Sequence, residues 1–277
     1  MKKRSVFSMS LVLLVVLLSA SSPKKMHSIL NTNQRFVKVS DNFYADKYEV
    51  SIKDYQLFLQ DKRAKGEDCS VWIYDSTCWE MRNTTGETAP EIMIPYYYNL
   101  KVYENFPIVG VNYEAANEFC RWLAEKYHAN VKRQYKQVVF RLPTEQEFIK
   151  AASAHYDPKR IFYPWGYNGL YNSKKEKRCN FWELDQVELD FTDDNLKLKG
   201  IVSQVLRTVE NVGSYEPNPY GIYNIVGNVS EMIQEKHIAM GGDWQSTGYN
   251  VKITSKRSYK DVDMTVGFRV YMEIIEF

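Results

Sequence analysis

The stretch from Tyr163 to Asn228 shows almost no helical or alternating hydrophobic pattern, and this limits the fold more than any other feature. It opens on a tight aromatic turn, Tyr163-Pro164-Trp165-Gly166, and reads mostly as loop as far as Asn211. The segment VGSYEPNPYGIYNIVGN then places three turn signals in close succession: Glu216-Pro217, Asn218-Pro219 and Tyr220-Gly221. Proline lacks a backbone donor, so no helix or central strand runs through such a section. Hydrophobic residues make up 44% of the chain and charged residues 25%, a globular composition, so these loops are expected to be ordered rather than unfolded. The 21 tyrosines suit that arrangement, because a phenol packs its ring and keeps its hydroxyl wet. Irregular packing is a better account of them than a dedicated aromatic strip.

Regular elements are expected outside this section. NFYADKYEVSIKDYQLFLQDK reads as a strand, a turn and a helix, with Ser51 as N-cap and Tyr55, Phe58 and Leu59 inward. Residues 108–111 read as a short apolar strand, followed by a helix capped by Asn112 with Ala116, Phe119, Cys120 and Leu123 on one face. Pro143 stops a further strand, and Thr144 with Glu147 forms a capping box for a helix that buries Phe148 and Ala152. VGFRVYMEI reads as a core strand. Few helices, short strands and long loops make an α+β domain.

Residues 1–22 read as a signal peptide: Lys2, Lys3 and Arg4 precede an apolar run at 11–18 and small residues at 19–22. The run is too short for a stable span, so no membrane span is expected after cleavage. A flexible leader is expected from about Pro23 to Arg35, with 23–32 assigned to the leader alone and one domain over 33–277. The full chain carries 36 basic and 34 acidic residues; without the three basic residues of the signal the balance is −1. That gives no electrostatic case for nucleic acid. Export implies an oxidising compartment, in which Cys69 and Cys78 are expected to pair while Cys120 stays a buried thiol. The four histidines are scattered, which argues against a transition-metal site.

Seven segments in this order resemble the formylglycine-generating enzyme (sulfatase-modifying factor) family: YEVSIKDYQLFL, FPIVGVNYEAANEFCRWL, FRLPTEQEFIKAA, YPWG, NPYGIYNIVGNVSEM, GGDW and GFRV. The resemblance implies a loop-rich variant of the C-type lectin fold. It also implies two copper-binding cysteines beyond the glycine pair, and here those positions fall on Ser246 and Val251. Neither supplies the soft thiolate that copper(I) needs. Asp243 stands where the family has serine, and Ser230 where it has tryptophan. We therefore expect no copper and no formylglycine-generating oxidase activity. The branch that uses histidine-bound iron is set aside, because this chain lacks its additional helical domain and any paired histidines.

The resemblance further implies a structural calcium held by Asn224, Glu231 and the carbonyls of Gly227 and Val229, oxygen donors suited to a hard cation. In the alternative, Asn224 and Glu231 only cap the turn. A second calcium near Asn180 and Phe181 is in doubt, although Asp190, Asp193 and Asp194 lie beyond. Two functional readings follow. In the first, the protein is a non-catalytic binding or assembly component of the cell envelope, of the gliding or protein-secretion type. It engages an exported protein or glycan through Asp243, Trp244, Ser246, Tyr249 and Tyr259, in the periplasm, at the outer membrane or outside the cell. In the second, it is an enzyme of altered chemistry using Asp243, Glu231 or His237, including a divergent sulfatase-modifying enzyme. A filled groove favours the first and an open cleft with converging acids the second.

Overall fold

The computed structural model describes residues 26–80, 96–183, 188–190, 197–199 and 208–277. The signal segment, Asp193 and Asp194 lie outside the described residues.

Local signals place the helices. Helix α1 is a single turn, Thr32–Arg35. Helix α2, Ile52–Ala64, starts at Ser51, whose side chain accepts from the Asp54 amide while the Asp54 carboxylate accepts in return from the Ser51 amide. Helix α3, Tyr113–Ala129, is capped by Asn112, and α4, Glu145–Ser153, by the Thr144–Glu147 box. Rings of Tyr55 and Phe58 on α2 pack against Phe119 and Trp122 on α3, and Phe268 closes the same aromatic cluster.

Two small sheets frame the core. In the first, β1 (Phe36–Ser40), β2 (Phe43–Asp46), β10 (Tyr271–Glu276) and β3 (Gln137–Arg141) are antiparallel in that spatial order. The second runs β8 (Lys256–Ser258), β7 (Ile238–Met240), β6 (Ser230–Met232), β9 (Val266–Gly267), with β6 and β9 parallel. Strands β4 (Glu188–Asp190) and β5 (Lys197–Lys199) form a separate hairpin. Among the described residues no helix is long and apolar enough to cross a membrane.

Four expectations are corrected. The leader is not loose up to Arg35: Ile29 is fully buried, and the buried Arg35 guanidinium donates to Asp46 at 2.6 Å and to Asp54 at 2.9 Å. Residues 108–111 are buried but form no strand, because their backbone bonds go to unrelated segments. The Ile108 amide donates to Val50, the Gly110 amide to Asp263, and the Gly110 carbonyl accepts from Asp75. The C-terminal core strand is two strands, with Phe268, Arg269 and Val270 carrying the chain from one sheet to the other. Cys69 and Cys78 are free and buried, with Cys69 directed at the Leu59 and Glu67 carbonyls and Cys78 at the Tyr98 hydroxyl. Cys120 is a buried thiol as expected, and burial pushes it, Cys78 and Cys179 up to about 12.

Candidate functional site

The site is assembled around β6, where successive side chains point to opposite sides. Ser230 faces the loop after the glycine pair, and its hydroxyl donates to Asp243 Oδ2 at 2.9 Å. Glu231 faces the other way, into a buried polar centre.

The loop side is closed. Gly242 adopts φ +72°, and a Cβ there would lie 2.3 Å from the Asn250 carbonyl oxygen, so only glycine lets residues 243–251 fold back this tightly. Asp243 is 2% exposed. Its Oδ1 accepts from the Ser246 hydroxyl at 3.0 Å and from the Gln245 amide at 3.0 Å. Arg257 reaches toward Asp243 Oδ2 at 3.5 Å and donates through Nη2 to Asp263 at 2.9 Å and to Thr265 at 2.6 Å. Burial raises the Asp243 carboxyl above its ordinary range, while Arg257 pulls the other way. Val251 is fully buried in an apolar cluster with Tyr163, Cys179, Phe181 and Val226. The two positions that would carry thiolates are thus a serine tied into a turn and a valine packed in hydrocarbon.

This geometry also revises the binding set. Trp244 and Tyr259 are each 7% exposed and belong to the main core, so neither they nor Asp243 is free to meet a partner. Tyr249 is 76% exposed and Ser246 lies half-buried beside it. The Lys252 ammonium sits 3.5 Å from the Tyr249 ring centroid and 5.1 Å from that of Phe162. Two hydrogen bonds fasten the loop to the neighbouring section, Trp182 amide to Ser246 carbonyl at 2.9 Å and Tyr163 hydroxyl to Gly248 carbonyl at 3.0 Å. His237 is exposed, and its Nδ1 lies 3.1 Å from the Lys260 carbonyl oxygen, so it does not converge with the acids.

The other side of β6 holds an ion pair with no water access. Arg269 Nε contacts both Glu231 carboxylate oxygens, at 3.0 and 3.1 Å, and Nη2 reaches Oε1 at 2.5 Å. The same guanidinium donates to the carbonyls of Asp46 and Tyr223. Next to it the buried Glu49 accepts from Asn224 Nδ2 at 3.1 Å and from Asn228 Nδ2 at 2.9 Å. Burial pushes the Glu49 carboxyl up to about 8, with Arg269 opposing and Glu231 adding to the rise. Asn224 and Asn228 both have positive φ, and Gly227 between them has φ +75°; a Cβ there would lie 2.4 Å from the Asn180 carbonyl oxygen.

As a calcium site the turn fits in part. Asn224 Oδ1 is buried and has no hydrogen-bond partner among the described residues, so the chemistry of an oxygen donor is available there. Glu49 and Glu231 outnumber Arg269, so the centre has one negative charge to neutralise, by a proton on Glu49 or by a cation. The Glu231 carboxylate, however, is gripped by Arg269, so it neither simply caps the turn nor stands open as a ligand. At the second expected site, Asn180 Nδ2 donates to Thr208 and Asn228, and Phe181 is core. Sequence reasoning passed over Glu49, Asn228 and Arg269 as site residues. For Glu49 and Arg269 the signal was a lone charge inside an apolar run, in YEVS and in GFRV; Asn228, a neutral amide in VGNVS, carried no such signal.

The sulfatase-modifying factor enzyme 1-like domain family matches residues 19–274. Among curated relatives, the protein called inactive C-alpha-formylglycine-generating enzyme 2 of Bos taurus is 24% identical over 231 residues, 74% of this chain and 66% of that protein. A formylglycine-generating enzyme of Thermomonospora curvata is 30% identical over 143 residues, 52% of this chain and 37% of its own length. The chain thus matches just under two thirds of one relative and well under half of the other. The structure of PvdO from Pseudomonas aeruginosa superposes with a TM-score of 0.53 at 18% identity, covering 84% of this chain and 80% of that one, a likeness of fold. With its mixed, loop-rich architecture and the ordered series of motifs from Tyr48 to Val270, the chain belongs to the sulfatase-modifying factor enzyme 1-like domain family.

Proposed function

We propose that this protein is an exported, non-catalytic member of the family that works as a binding or assembly component of the cell envelope. One observation carries the reading: the two positions where the family's resemblance implies metal-binding thiolates are consumed internally, Ser246 by Asp243 and Val251 by an apolar cluster. A groove filled in this way leaves the scaffold and removes the reagent. The existence of a relative whose name marks it as inactive is compatible with that role. The binding surface is the rim of the filled groove, where Tyr249, Lys252 and Phe162 lie together. The partner is an exported protein or glycan, with a gliding or protein-secretion assembly as the setting. Calcium at the Asn224 turn is part of this proposal, as a structural ion. The altered-enzyme reading gains nothing from the geometry, because Asp243 and Glu231 lie on opposite sides of β6 and His237 joins neither.

The test has two arms. Incubation with copper(I) and a cysteine-containing sulfatase peptide is expected to give no stoichiometric tight copper and no aldehyde. Capture of partners from envelope extracts is expected to fall sharply for Tyr249→Ala in a protein that melts normally. Aldehyde formation would overturn the first half of the reading, and undiminished capture by Tyr249→Ala the second.

A further inference from the structure

We propose that the pocket beside the rim, formed by residues 167–178 together with Glu216, binds a neutral carbohydrate. The proposal rests on the rim being the binding face and names the ligand class for it. The pocket has a volume of 580 Å³ and is lined by Tyr167, Tyr171, Asn172, Glu176, Arg178 and Glu216, among others. That is within the ~300–1,000 Å³ usual for small-molecule sites, and large enough for one or two sugar rings.

The walls are built before any ligand arrives. Tyr171 bridges Lys177, the Asn172 amide donates to the Glu176 carbonyl at 2.9 Å, and Lys175 takes φ +63° at the tip. The Asn172 side chain accepts from the amides of Lys174 and Glu176 at 2.9 Å each. The Tyr167 hydroxyl donates to the Tyr171 carbonyl at 3.0 Å, and the Tyr171 hydroxyl bonds Glu183. Both rings are therefore tethered at their tips, yet they remain 39% and 38% exposed. Arg178 pairs with Glu216 and lies 5.5 Å over the Trp165 ring, which fixes the back of the pocket.

The lining selects the ligand. Among the lining residues Lys174 and Arg178 balance Glu176 and Glu216, and Lys177 behind them pairs with Glu183. Among the described residues here this leaves Lys175 at the tip as the one excess cation and gives the pocket little pull on a phosphate or a nucleic acid. Phenol rings alternate with amide, carboxylate and guanidinium groups. A pyranose matches this, with an apolar C–H face to lie on a ring and hydroxyls at its edge for planar hydrogen-bonding groups. An extended peptide would need open backbone groups, but the wall spends several on itself: Gly169 accepts from Trp165 Nε1, Leu170 from the Arg178 amide, and Tyr171 from Tyr167. The pocket also touches the rim. A Cβ on Gly248 would meet Leu170 Cδ1 at 2.2 Å, so the two loops are in close contact.

Calorimetric titration of the full protein with neutral oligosaccharides tests this, using oligomers of N-acetylglucosamine, cello-oligosaccharides and malto-oligosaccharides as probes and a neutral tetrapeptide as control. At least one sugar series is expected to bind, with Trp165 fluorescence responding. Tyr167→Ala and Tyr171→Ala are each expected to weaken that binding about tenfold or more with little change in melting, and Lys132→Gln, an exposed residue outside this pocket, to leave it intact. No binding of any series at millimolar concentration, equal binding of the tetrapeptide, or full binding by a folded Tyr167→Ala would overturn the proposal. Envelope capture separates this failure from failure of the rim reading: if capture still depends on Tyr249 after enzymatic deglycosylation of the extract, the rim stands and the sugar assignment falls.

Discussion

Ser230 and Glu231 are neighbours on one short strand, and their surroundings differ in kind. Glu231 belongs to a centre of full charges and amides, each oriented by another, that ties β6 to the segment after β9 and to the approach to α2. Ser230 belongs to a set of local turn contacts around Asp243 and Ser246. The first set holds distant parts of the chain in register, so neither Glu231 nor Arg269 leaves without taking away the buried partner that its charge is bonded to. The second is self-contained, and a residue there is replaceable whenever its hydrogen bonds are satisfied nearby. On the reading proposed above, a fold of this kind can change its chemistry on one side of a strand while keeping its frame on the other.

The comparison is easiest to break by removing single charges. Glu231→Ala or Arg269→Met is expected to cost about 3–5 kcal/mol in urea unfolding, because the partner is left buried and unpaired. The double variant should lose less than the sum of the two. Equal, small losses on both sides of β6 would erase the distinction. Calcium comes next. At a hundredfold excess over its dissociation constant a native-state ligand adds about 2.7 kcal/mol, so melting should rise with calcium and fall with chelator. Asn224→Ala is expected to abolish the response, and a melting point indifferent to calcium would leave a proton on Glu49 as the way this centre is neutralised.

On the loop side Val251→Ala is expected to cost about 2 kcal/mol, for two methyl groups lost from a closed apolar cluster. Ser230→Ala should cost about 1 kcal/mol, one hydrogen bond to Asp243. Neither change should affect partner capture, and if either did, the loop interior would be part of the binding face. The smallest stability effect belongs to Tyr249→Ala, within about 0.5 kcal/mol, since that side chain is largely in solvent. It is the one change here expected to alter capture without altering the frame.

What could be read from the sequence was local. Ser51, Asn112 and Thr144 announce their helices because a cap is a contact across three residues, and all three act as read. The family was legible because its motifs come in order, although each is weak alone. What escaped reading was tertiary. Gly110 at φ +68° and hydrogen bonds to three separate segments turn an apolar run into a buried coil. Arg35 looks like the end of a polar leader until Asp46 and Asp54 close around it. Asp243, Trp244 and Tyr259 look like the lining of a site, and three-dimensional packing puts them under its surface. Tyr249 differs from them only in its surroundings, which no spacing rule reports.

The split between β9 and β10 has a consequence for the order in which the molecule is made. Strand β10 pairs on one edge with β2 and on the other with β3, so it is an inner strand of the first sheet, and it arrives after nearly everything else described. While the chain is being synthesised, β2 and β3 have no neighbour between them, and Glu231 lacks the guanidinium of Arg269 until that residue follows. Closing contacts of such sequence separation is slow, and open strand edges invite intermolecular pairing in the interval. Completion of the sheet and pairing of the buried acid therefore wait on the same late segment, residues 269–276.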